Sequence, residues 1–268
     1  MKNIKISIIG GGNLGVSIAE GLIKSGYTAP ENITVTRRRL HLIAHLKEKG
    51  VHITDNNIEA AANSDIVILA IKPHQIKNVA LEIKSTLDPA RHILISVVTG
   101  VSIREIQEIV EKDVPLFLAM PNTAIAIQES MTCIATNNAA EEQRQMILGL
   151  FDQLGKAILI NEELMEAATV LGACGIAYAL RFIRASSQGG IEIGFSSKVA
   201  QIIAAQTVKG AAGLLIEGGQ HPEYEIDKVT TPQGCTIAGL NEMEHQGFSS
   251  ALIKGIMASY NKIQNIAK

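Results

Sequence analysis

The stretch that decides the fold is "IIGGGNLG", residues 8–15, which follows an apolar β-branched run and opens the helical pattern "VSIAEGLIKSG". Gly10, Gly12 and Gly15 have the spacing G-x-G-x-x-G. In a strand–turn–helix unit the first glycine permits a tight turn, the second lets the backbone approach a pyrophosphate, and the third lets helix and strand pack closely. Both flanks match that context. The stretch therefore predicts a Rossmann-type dinucleotide-binding unit rather than a glycine-rich turn.

Outward from this stretch, short β-branched runs alternate with helical patterns up to about residue 160. The runs are "IKISIIG", "ITVT", "VHIT", "DIVILAIK", "HILISVV", "VPLFLAM", "MTCIAT" and "AILI". Alternation of strand and helix predicts parallel pairing through crossover helices. The pattern then becomes helical throughout, with long segments at 164–187 and 196–217. We expect an α/β fold: a mostly parallel Rossmann-type domain over residues 1–160 and an all-α domain over residues 161–268.

Composition narrows the functional classes. The chain of 268 residues has a formal charge of −2 and no basic cluster, which argues against nucleic-acid binding. The N-terminal apolar run is too short for a signal peptide, and no later segment approaches a bilayer-spanning run of about 18 apolar residues. We therefore expect a cytoplasmic protein that does not bind a membrane.

Metal binding is not indicated. The three cysteines are far apart and form no C-x-x-C pair, so we interpret them as small buried side chains. His41 and His45 have i, i+4 spacing but lack the glutamate of H-E-x-x-H, which favours a solvated helix face over a zinc site.

The end of the second strand indicates which dinucleotide is bound. An NAD site usually presents an acidic residue there, about 20 residues beyond the glycines. This chain has "TVTRRRL", with Thr36, Arg37, Arg38 and Arg39. An acid would repel a 2′-phosphate, whereas a hydroxyl and guanidinium groups can hold it. We predict NADP, with NADPH preferred over NADH, and Thr36, Arg37 and Arg38 as contacts. The alternative is an exposed basic helix start.

Two further strand ends lie where open α/β sheets bind ligands, at the carboxyl ends of the strands. In "LAIKPH" the strand is followed by Lys72 and Pro73, and in "LAMPNTAIA" by Met120, Pro121 and Asn122. Ordinary strand-ending turns would explain each motif alone. The predicted cofactor-binding residues are Gly10, Gly12, Asn13, Leu14, Gly15, Thr36, Arg37, Arg38, Lys72, Pro73, Met120, Pro121 and Asn122.

A second chemical motif, "VTTPQGCTIAGL" at residues 229–240, places hydroxyls and a glycine before a helical pattern expected to run from Thr236 to His245. Backbone N–H groups at a helix start have no partner within the helix and can bind a carboxylate. Capping and turn formation are the commoner uses of such residues. The stretch alone leaves both roles open.

Taken together, "GGGNLG", "AIKPH", "AMPNTA", "MTCIAT", "AAQTVKGAAGLL" and "VTTPQGCTIAGLNEMEHQGF" resemble the pyrroline-5-carboxylate reductase family over essentially the whole chain. The resemblance implies NAD(P)H-dependent reduction of 1-pyrroline-5-carboxylate to L-proline, the last step of proline biosynthesis. It also implies a helical domain that forms a homodimer, with a higher homo-oligomer as a further option. In the family such helices interleave, so that the "TTPQGCT" loop of one chain completes the site of the other.

Residue roles follow from the same resemblance. Thr231 and the backbone amides of Gly234, Cys235 and Thr236 would hold the substrate carboxylate, and the Thr236 hydroxyl, the one catalytic group expected, would meet the ring nitrogen. The family's usual "TSPGGTT" stands here as "TTPQGCT", with Gln233 in place of a glycine. Its "GSGPAY" stands as "GACGIAY".

Two other functions share this fold. A β-hydroxyacid dehydrogenase would have a catalytic lysine near the start of the long helix, where this chain has Arg181, which cannot shuttle a proton as lysine does. A non-catalytic NADPH-binding module that senses redox state is the other alternative. Consumption of reduced nicotinamide on addition of pyrroline-5-carboxylate discriminates between that module and the reductase.

Overall fold

The computed structural model describes residues 3–264. Its strands are β1 (Ile6–Ile9), β2 (Ile33–Thr36), β3 (His52–Thr54), β4 (Ile66–Leu69), β5 (Ile93–Ser96), β6 (Leu116–Met120), β7 (Ser130–Thr136) and β8 (Gly155–Leu159). Its α-helices are α1 (Asn13–Ser25), α2 (Ala44–Glu48), α3 (Asn57–Ala62), α4 (Ile76–Ile83), α5 (Ile103–Val110), α6 (Glu141–Asp152), α7 (Met165–Ala168), α8 (Gly175–Glu192), α9 (Ser197–Gly218), α10 (Pro222–Lys228), α11 (Cys235–His245) and α12 (Phe248–Gln264).

All eight predicted strands form one sheet, in the order β3-β2-β1-β4-β5-β6-β7-β8. Strands β1 to β6 pair in parallel. The sheet extends from β1 through β2 to β3 on one side and through β4 on the other, so the strand order reverses at β1. This arrangement confirms the predicted Rossmann-type, mostly parallel sheet. It also places the carboxyl ends of β1, β2 and β4 side by side, the position at which open α/β sheets bind ligands.

Strand β7 pairs antiparallel with β6, and β8 runs parallel to β7. The cause lies in the connection, because residues 121–129 between β6 and β7 are fewer than the dozen or more that a parallel crossover needs. That connection contains only the 3-10 turn Thr123–Ile127. The longer connection from β7 to β8 includes α6 and restores parallel pairing.

The core lies on both faces of the sheet, because alternate residues of a strand point to opposite sides. On β4, Ile66 and Ile68 belong to one apolar layer, whereas Val67 and Leu69 belong to the other. The first layer is completed by α1 and α6, and the second by α4 and α5. With both faces covered, the strands are almost entirely apolar, as expected for a buried parallel sheet.

The described chain forms two compact units, one containing residues up to Cys174 together with those from Tyr260 onward, and the other containing Gly175–Ser259. The domain boundary expected near residue 160 stays a prediction. Between α7 and α8 the helix contains a π-helical segment, Thr169–Cys174, which the sequence did not predict. Segments of this kind are rare and occur often at functional sites.

The second unit, residues 175–259, is wholly helical and buries few of its side chains. Only Ser187, Ala200 and Ala204 are buried there, although the structure describes every residue of the unit. Large apolar side chains are exposed instead, with Ile193 at 79% and Ile216 at 82%. Such a surface marks an interaction site, because monomeric proteins rarely expose large apolar patches.

Two helical stretches, Glu162–Glu192 and Ser197–Gly218, are long and apolar enough to cross a membrane, with mean hydropathies of 1.4 and 1.5. This differs from the expectation that no segment approaches a membrane span, because glycine, alanine and a few charges interrupt the apolar runs of both stretches. Length and composition are weak evidence, since packed helices of soluble proteins meet the same test.

Candidate functional site

The glycine turn after β1 is shaped by two close approaches. Gly10 has φ +114°, and a Cβ there would lie 2.3 Å from the carbonyl oxygen of Ala70. A Cβ at Gly15 would lie 2.1 Å from the carbonyl oxygen of Gly10. Both contacts are with backbone, which cannot move aside as a flexible side chain could. Only glycine therefore fits these two positions, and α1 packs against β1 as the motif predicts.

Gly12 differs from its two neighbours in the motif. It is the N-cap of α1 and has no side chain to cap the helix, and a Cβ there would meet no atom within 4 Å. The first N–H groups of α1 consequently face open space. This is the arrangement that binds phosphate groups at helix N-termini.

The space in front of Gly12 is a cavity of about 920 Å³ along the carboxyl ends of β1, β2 and β4. It brings together most of the predicted cofactor-binding residues: Gly10, Gly12, Asn13, Leu14, Thr36, Arg37, Arg38 and Lys72. Four polar residues that were not predicted as cofactor contacts also line this cavity: Arg39, Asp55, Asn57 and Glu82. Gly15 is buried behind the turn and supports it from within the fold.

Thr36 makes its contacts inside the protein. Thr36 is buried, its hydroxyl donates to Asn57 Oδ1 at 2.7 Å, and the same oxygen accepts from the Gly10 N–H at 3.3 Å. The contact of Thr36 with a 2′-phosphate stays a prediction. Thr36 ties the end of β2 to the glycine turn, since its carbonyl also accepts from the Gly11 N–H at 2.6 Å.

The arginines differ from one another in their contacts. Arg37 is half-buried and its Nη1 donates to the Gly11 carbonyl at 2.6 Å, so its guanidinium lies beside the glycine turn. Arg38 and Arg39 are exposed and line the same cavity. A guanidinium has five donors, so Arg37 keeps capacity for a phosphate after its contact with Gly11.

Of the motif after β4, Lys72 lines the cavity and Pro73 does not. Lys72 precedes the 3-10 turn Pro73–Gln75, and its backbone N–H donates to Gln75 Oε1 at 3.2 Å. Because β4 already ends at Leu69, the part of Pro73 is to begin the turn, while Lys72 supplies the positive charge.

A second cavity, of about 450 Å³, lies at the carboxyl ends of β5 and β6. Met120 lines it, and the Thr99 hydroxyl donates to the Met120 sulfur at 3.7 Å. Glu162 also lines it and accepts from the Ile103 N–H at 2.7 Å. This cavity has both apolar and acidic walls.

Pro121 and Asn122 follow β6 and make internal contacts. Pro121 is buried. Asn122 Oδ1 accepts from the Ala124 N–H at 3.0 Å, and its Nδ2 donates to the Gly172 carbonyl at 3.3 Å. The Asn122 side chain therefore joins the turn after β6 to the π-helical segment, and the contact of both residues with a cofactor stays a prediction.

In the second unit, the loop before α11 has the form expected of an anion site. Gly234 is the N-cap of α11 and offers no side-chain cap, and a Cβ there would lie 2.5 Å from the Thr231 hydroxyl oxygen. Thr231 and Cys235 are exposed and Thr236 is half-buried. The helix begins at Cys235, one residue before the predicted start. Gln233 has φ +60°, a left-handed conformation that explains the glycine usual in the family at that position.

The three cysteines have different surroundings. Cys133 is buried on β7, where burial raises the pKa of its thiol and keeps it protonated. Cys174 is half-buried and Cys235 is exposed, so the expectation of three buried cysteines holds only for Cys133. Within residues 3–264 the structure shows no group of three or more His, Cys, Asp or Glu side chains arranged to hold a metal ion.

The large cavity fits a dinucleotide phosphate. The uncapped α1 N-terminus at Gly12 can take the pyrophosphate. Because Gly12 has no side chain, its backbone can approach a ligand in the open space in front of it, which a Cβ would partly fill. Arg37, Arg38 and Lys72 supply positive charge around the same cavity. Asn57 could have been found from sequence, because it follows the third strand at the ligand-binding edge. Glu82 lies within α4 and gave no sequence indication.

Comparison with known proteins identifies the family. Residues 162–266 match the family model described as pyrroline-5-carboxylate reductase dimerisation, and residues 5–100 match that described as NADP oxidoreductase, coenzyme F420-dependent. Pyrroline-5-carboxylate reductase 2 of Dictyostelium discoideum is 47% identical over 98% of this chain and 93% of its own length. Pyrroline-5-carboxylate reductase 1 of the same organism is 48% identical over 97% of this chain, which spans only 49% of that longer relative.

Solved structures give the same result for the fold. A pyrroline-5-carboxylate reductase from Coxiella burnetii is 31% identical, with a TM-score of 0.93 and full coverage of both chains. The Plasmodium falciparum pyrroline carboxylate reductase with NADP bound is 25% identical, with a TM-score of 0.89 and full coverage of both chains. Identity of this extent along the entire chain, together with the cavity and the loop described above, places this chain in the pyrroline-5-carboxylate reductase family.

Proposed function

We infer that the protein catalyses the NADPH-dependent reduction of 1-pyrroline-5-carboxylate to L-proline, the final step of proline biosynthesis. The observation that carries this inference is the uncapped N-terminus of α1 at Gly12, which opens on a cavity of about 920 Å³ that also contains three arginines. The identity of the substrate is inferred from the family to which the chain belongs.

NADPH, when bound, supplies a hydride to the imine carbon of the ring, and the ring nitrogen carries the proton of the amine product. A cyclic imine can be protonated near neutral pH, so the protein needs neither a metal nor a strong general acid for this step. Its task is to bind and orient the two molecules. Correct positioning of reactants contributes up to about 7–11 kcal/mol when fully realised.

We propose that the cofactor is held by the residues that line the large cavity. The backbone N–H groups of Asn13 and Leu14 at the start of α1 would take the pyrophosphate, since the α1 N-terminus has no other cap. Arg37 and Arg38 would take the 2′-phosphate and so favour NADPH over NADH. Guanidinium groups suit this role because they form charge-assisted hydrogen bonds with phosphate.

The substrate carboxylate is assigned to the loop before α11. Gly234 leaves the first N–H groups of that helix without a side-chain cap, and Thr231 adds a hydroxyl next to them. The amides of Gly234, Cys235 and Thr236 would bind the carboxylate. The Thr236 hydroxyl would then meet the ring nitrogen, as the family resemblance implies.

We further propose that the chain works as a homodimer, or a higher homo-oligomer, in the cytoplasm. The exposed apolar side chains of residues 175–259 support association, and the matched dimerisation model covers this whole region. Burial of these helices against a partner subunit would also account for their membrane-like composition without a membrane.

The decisive experiment is to add pyrroline-5-carboxylate to the purified protein with NADPH and to follow the absorbance of reduced nicotinamide. We expect substrate-dependent loss of absorbance and formation of proline in equal amount. The matched control is Thr236→Val, which keeps the side-chain shape and removes the donor. Cofactor binding without any turnover would overturn the reductase assignment in favour of a non-catalytic NADPH-binding module.

A further inference from the structure

The cavity that is assigned to the cofactor contains a carboxylate. Hydrogen bonds connect this carboxylate to the end of β2, which the arginines follow. Glu82 lies on α4, exposed, and lines the cavity. Its Oε2 accepts from Asn57 Nδ2 at 3.0 Å. Asn57 in turn accepts the Thr36 hydroxyl proton at 2.7 Å. Three side chains from α4, α3 and β2 are thus joined in one chain of hydrogen bonds.

These hydrogen bonds fix the orientation of the Asn57 amide. An amide can rotate its oxygen and nitrogen into each other's place, but here the oxygen has a hydroxyl donor and the nitrogen has a carboxylate acceptor. The series of hydrogen bonds continues to the glycine turn, where the Gly10 N–H donates to the Thr36 hydroxyl oxygen at 3.3 Å. We call these four residues, Glu82, Asn57, Thr36 and Gly10, the Asn57 relay.

The Thr36 end of the relay adjoins the basic residues. Arg37 follows Thr36 in sequence, its backbone N–H donates to the Thr54 carbonyl at 3.0 Å, and its guanidinium contacts the glycine turn. Glu82 and Arg37 line the same cavity. A 2′-phosphate bound by the arginines would therefore lie in the field of the Glu82 carboxylate as well.

We propose that Glu82 is a positioning residue that sets the cofactor selectivity of this chain. Acting through Asn57, it holds the ribose-binding wall in place for either cofactor, and its negative charge opposes the 2′-phosphate of NADPH. In an NAD site, a carboxylate at the end of the second strand binds the ribose. In this protein the carboxylate comes from α4 and not from the end of β2. NADH then competes at the site despite the arginines. This inference rests on the proposed cofactor cavity and deepens it.

The test is calorimetric titration of the full chain with NADPH and with NADH, in the absence of substrate. In Glu82→Gln the amide oxygen can still accept from Asn57, but the charge is gone. We expect the affinity for NADPH to rise by about threefold at low salt and the affinity for NADH to stay as in wild type. At about 1 M salt, where the Debye length is about 3 Å, the gain should largely disappear.

The matched control is Glu129→Gln, because Glu129 is an exposed glutamate in the same unit that lines none of the described cavities. Its ratio of NADH to NADPH dissociation constants should equal that of wild type. A second variant, Glu82→Ala, removes the acceptor as well as the charge. It should bind both cofactors more weakly than Glu82→Gln, and this additional loss should vanish when Asn57 is also replaced by alanine.

Three outcomes decide the matter. A salt-sensitive change of the ratio in Glu82→Gln alone supports the proposal. The same ratio in wild type, Glu82→Gln and Glu129→Gln, with NADPH bound by all three, overturns it and leaves the cofactor cavity standing. Failure of folded wild-type protein to bind either cofactor overturns the proposed function and this inference together.

Discussion

An alanine in place of Gly12 should weaken cofactor binding strongly while leaving the fold intact. The backbone of Gly12 has φ −80° and ψ −172°, which any residue can adopt, and the new Cβ would contact nothing within 4 Å. Loss of glycine as N-cap costs roughly 0.5–1 kcal/mol. In a chain of this size each kcal/mol lowers the melting temperature by about 2–4 °C, so the variant should melt within a few degrees of wild type.

The methyl group would, however, stand where the backbone is expected to approach the pyrophosphate. Each charge-assisted hydrogen bond that is lost costs about 1.5–3 kcal/mol. One such loss raises the dissociation constant for NADPH by about 10- to 150-fold. Calorimetric titration measures that constant, and circular dichroism measures the melting temperature on the same samples.

Gly15→Ala is the matched comparison, because it adds the same methyl group to the same motif. There the Cβ would lie 2.1 Å from the Gly10 carbonyl oxygen, so backbone must move. Overpacking of this kind costs about 1–3 kcal/mol, and affinity should fall together with stability. The reasoning is refuted if Gly12→Ala binds NADPH as wild type does, or if it loses as much stability as Gly15→Ala.

The remaining predictions concern selectivity, catalysis and assembly. The double variant Arg37→Ala/Arg38→Ala should lower the ratio of kcat/KM for NADPH to that for NADH, since each lost bond to the 2′-phosphate is worth about 1.5–3 kcal/mol before solvent exposure reduces it; an unchanged ratio would contradict the assignment. Thr236→Val should lower kcat/KM for pyrroline-5-carboxylate by about tenfold or more with little change in NADPH affinity, and undiminished turnover would leave Thr236 a plain helix residue. Light scattering on a sizing column should show a dimer or larger assembly, and a fully active monomer would exclude it. If sites are shared between subunits, mixing a Gly12→Asp/Gly15→Asp variant with Thr236→Val should restore part of the activity, whereas proven subunit exchange without rescue would exclude shared sites.

Local sequence patterns were sufficient to predict the sheet. Each strand is a short apolar or β-branched run bounded by a turn or a helical pattern, so all eight were identified. The reversal at β7 was not identified, because it depends on the length of the connection before it and not on the residues of the strand. The π-helical segment was also missed, since "TVLGAC" has the composition of an ordinary helix.

The candidate site was predictable where one motif determines both position and chemistry. The tight turn at Gly10 and the close packing at Gly15 follow from the motif and its flanks, and the cavity lies where the motif places it. Contacts with a partner distant in sequence could not be predicted. The Thr36 hydroxyl stands at the strand end expected to bind phosphate, but nothing in the sequence indicates its hydrogen bond to Asn57, 21 residues later.

The sparse burial in residues 175–259 has a thermodynamic consequence. A unit that buries only Ser187, Ala200 and Ala204 has almost no core, so contact with another subunit in the proposed homodimer would supply most of the free energy that keeps its helices folded. Folding and association are then one equilibrium, and mass action applies to both. The midpoint of thermal unfolding should rise with protein concentration, and a newly made chain should be most vulnerable to aggregation and proteolysis before it meets its partner.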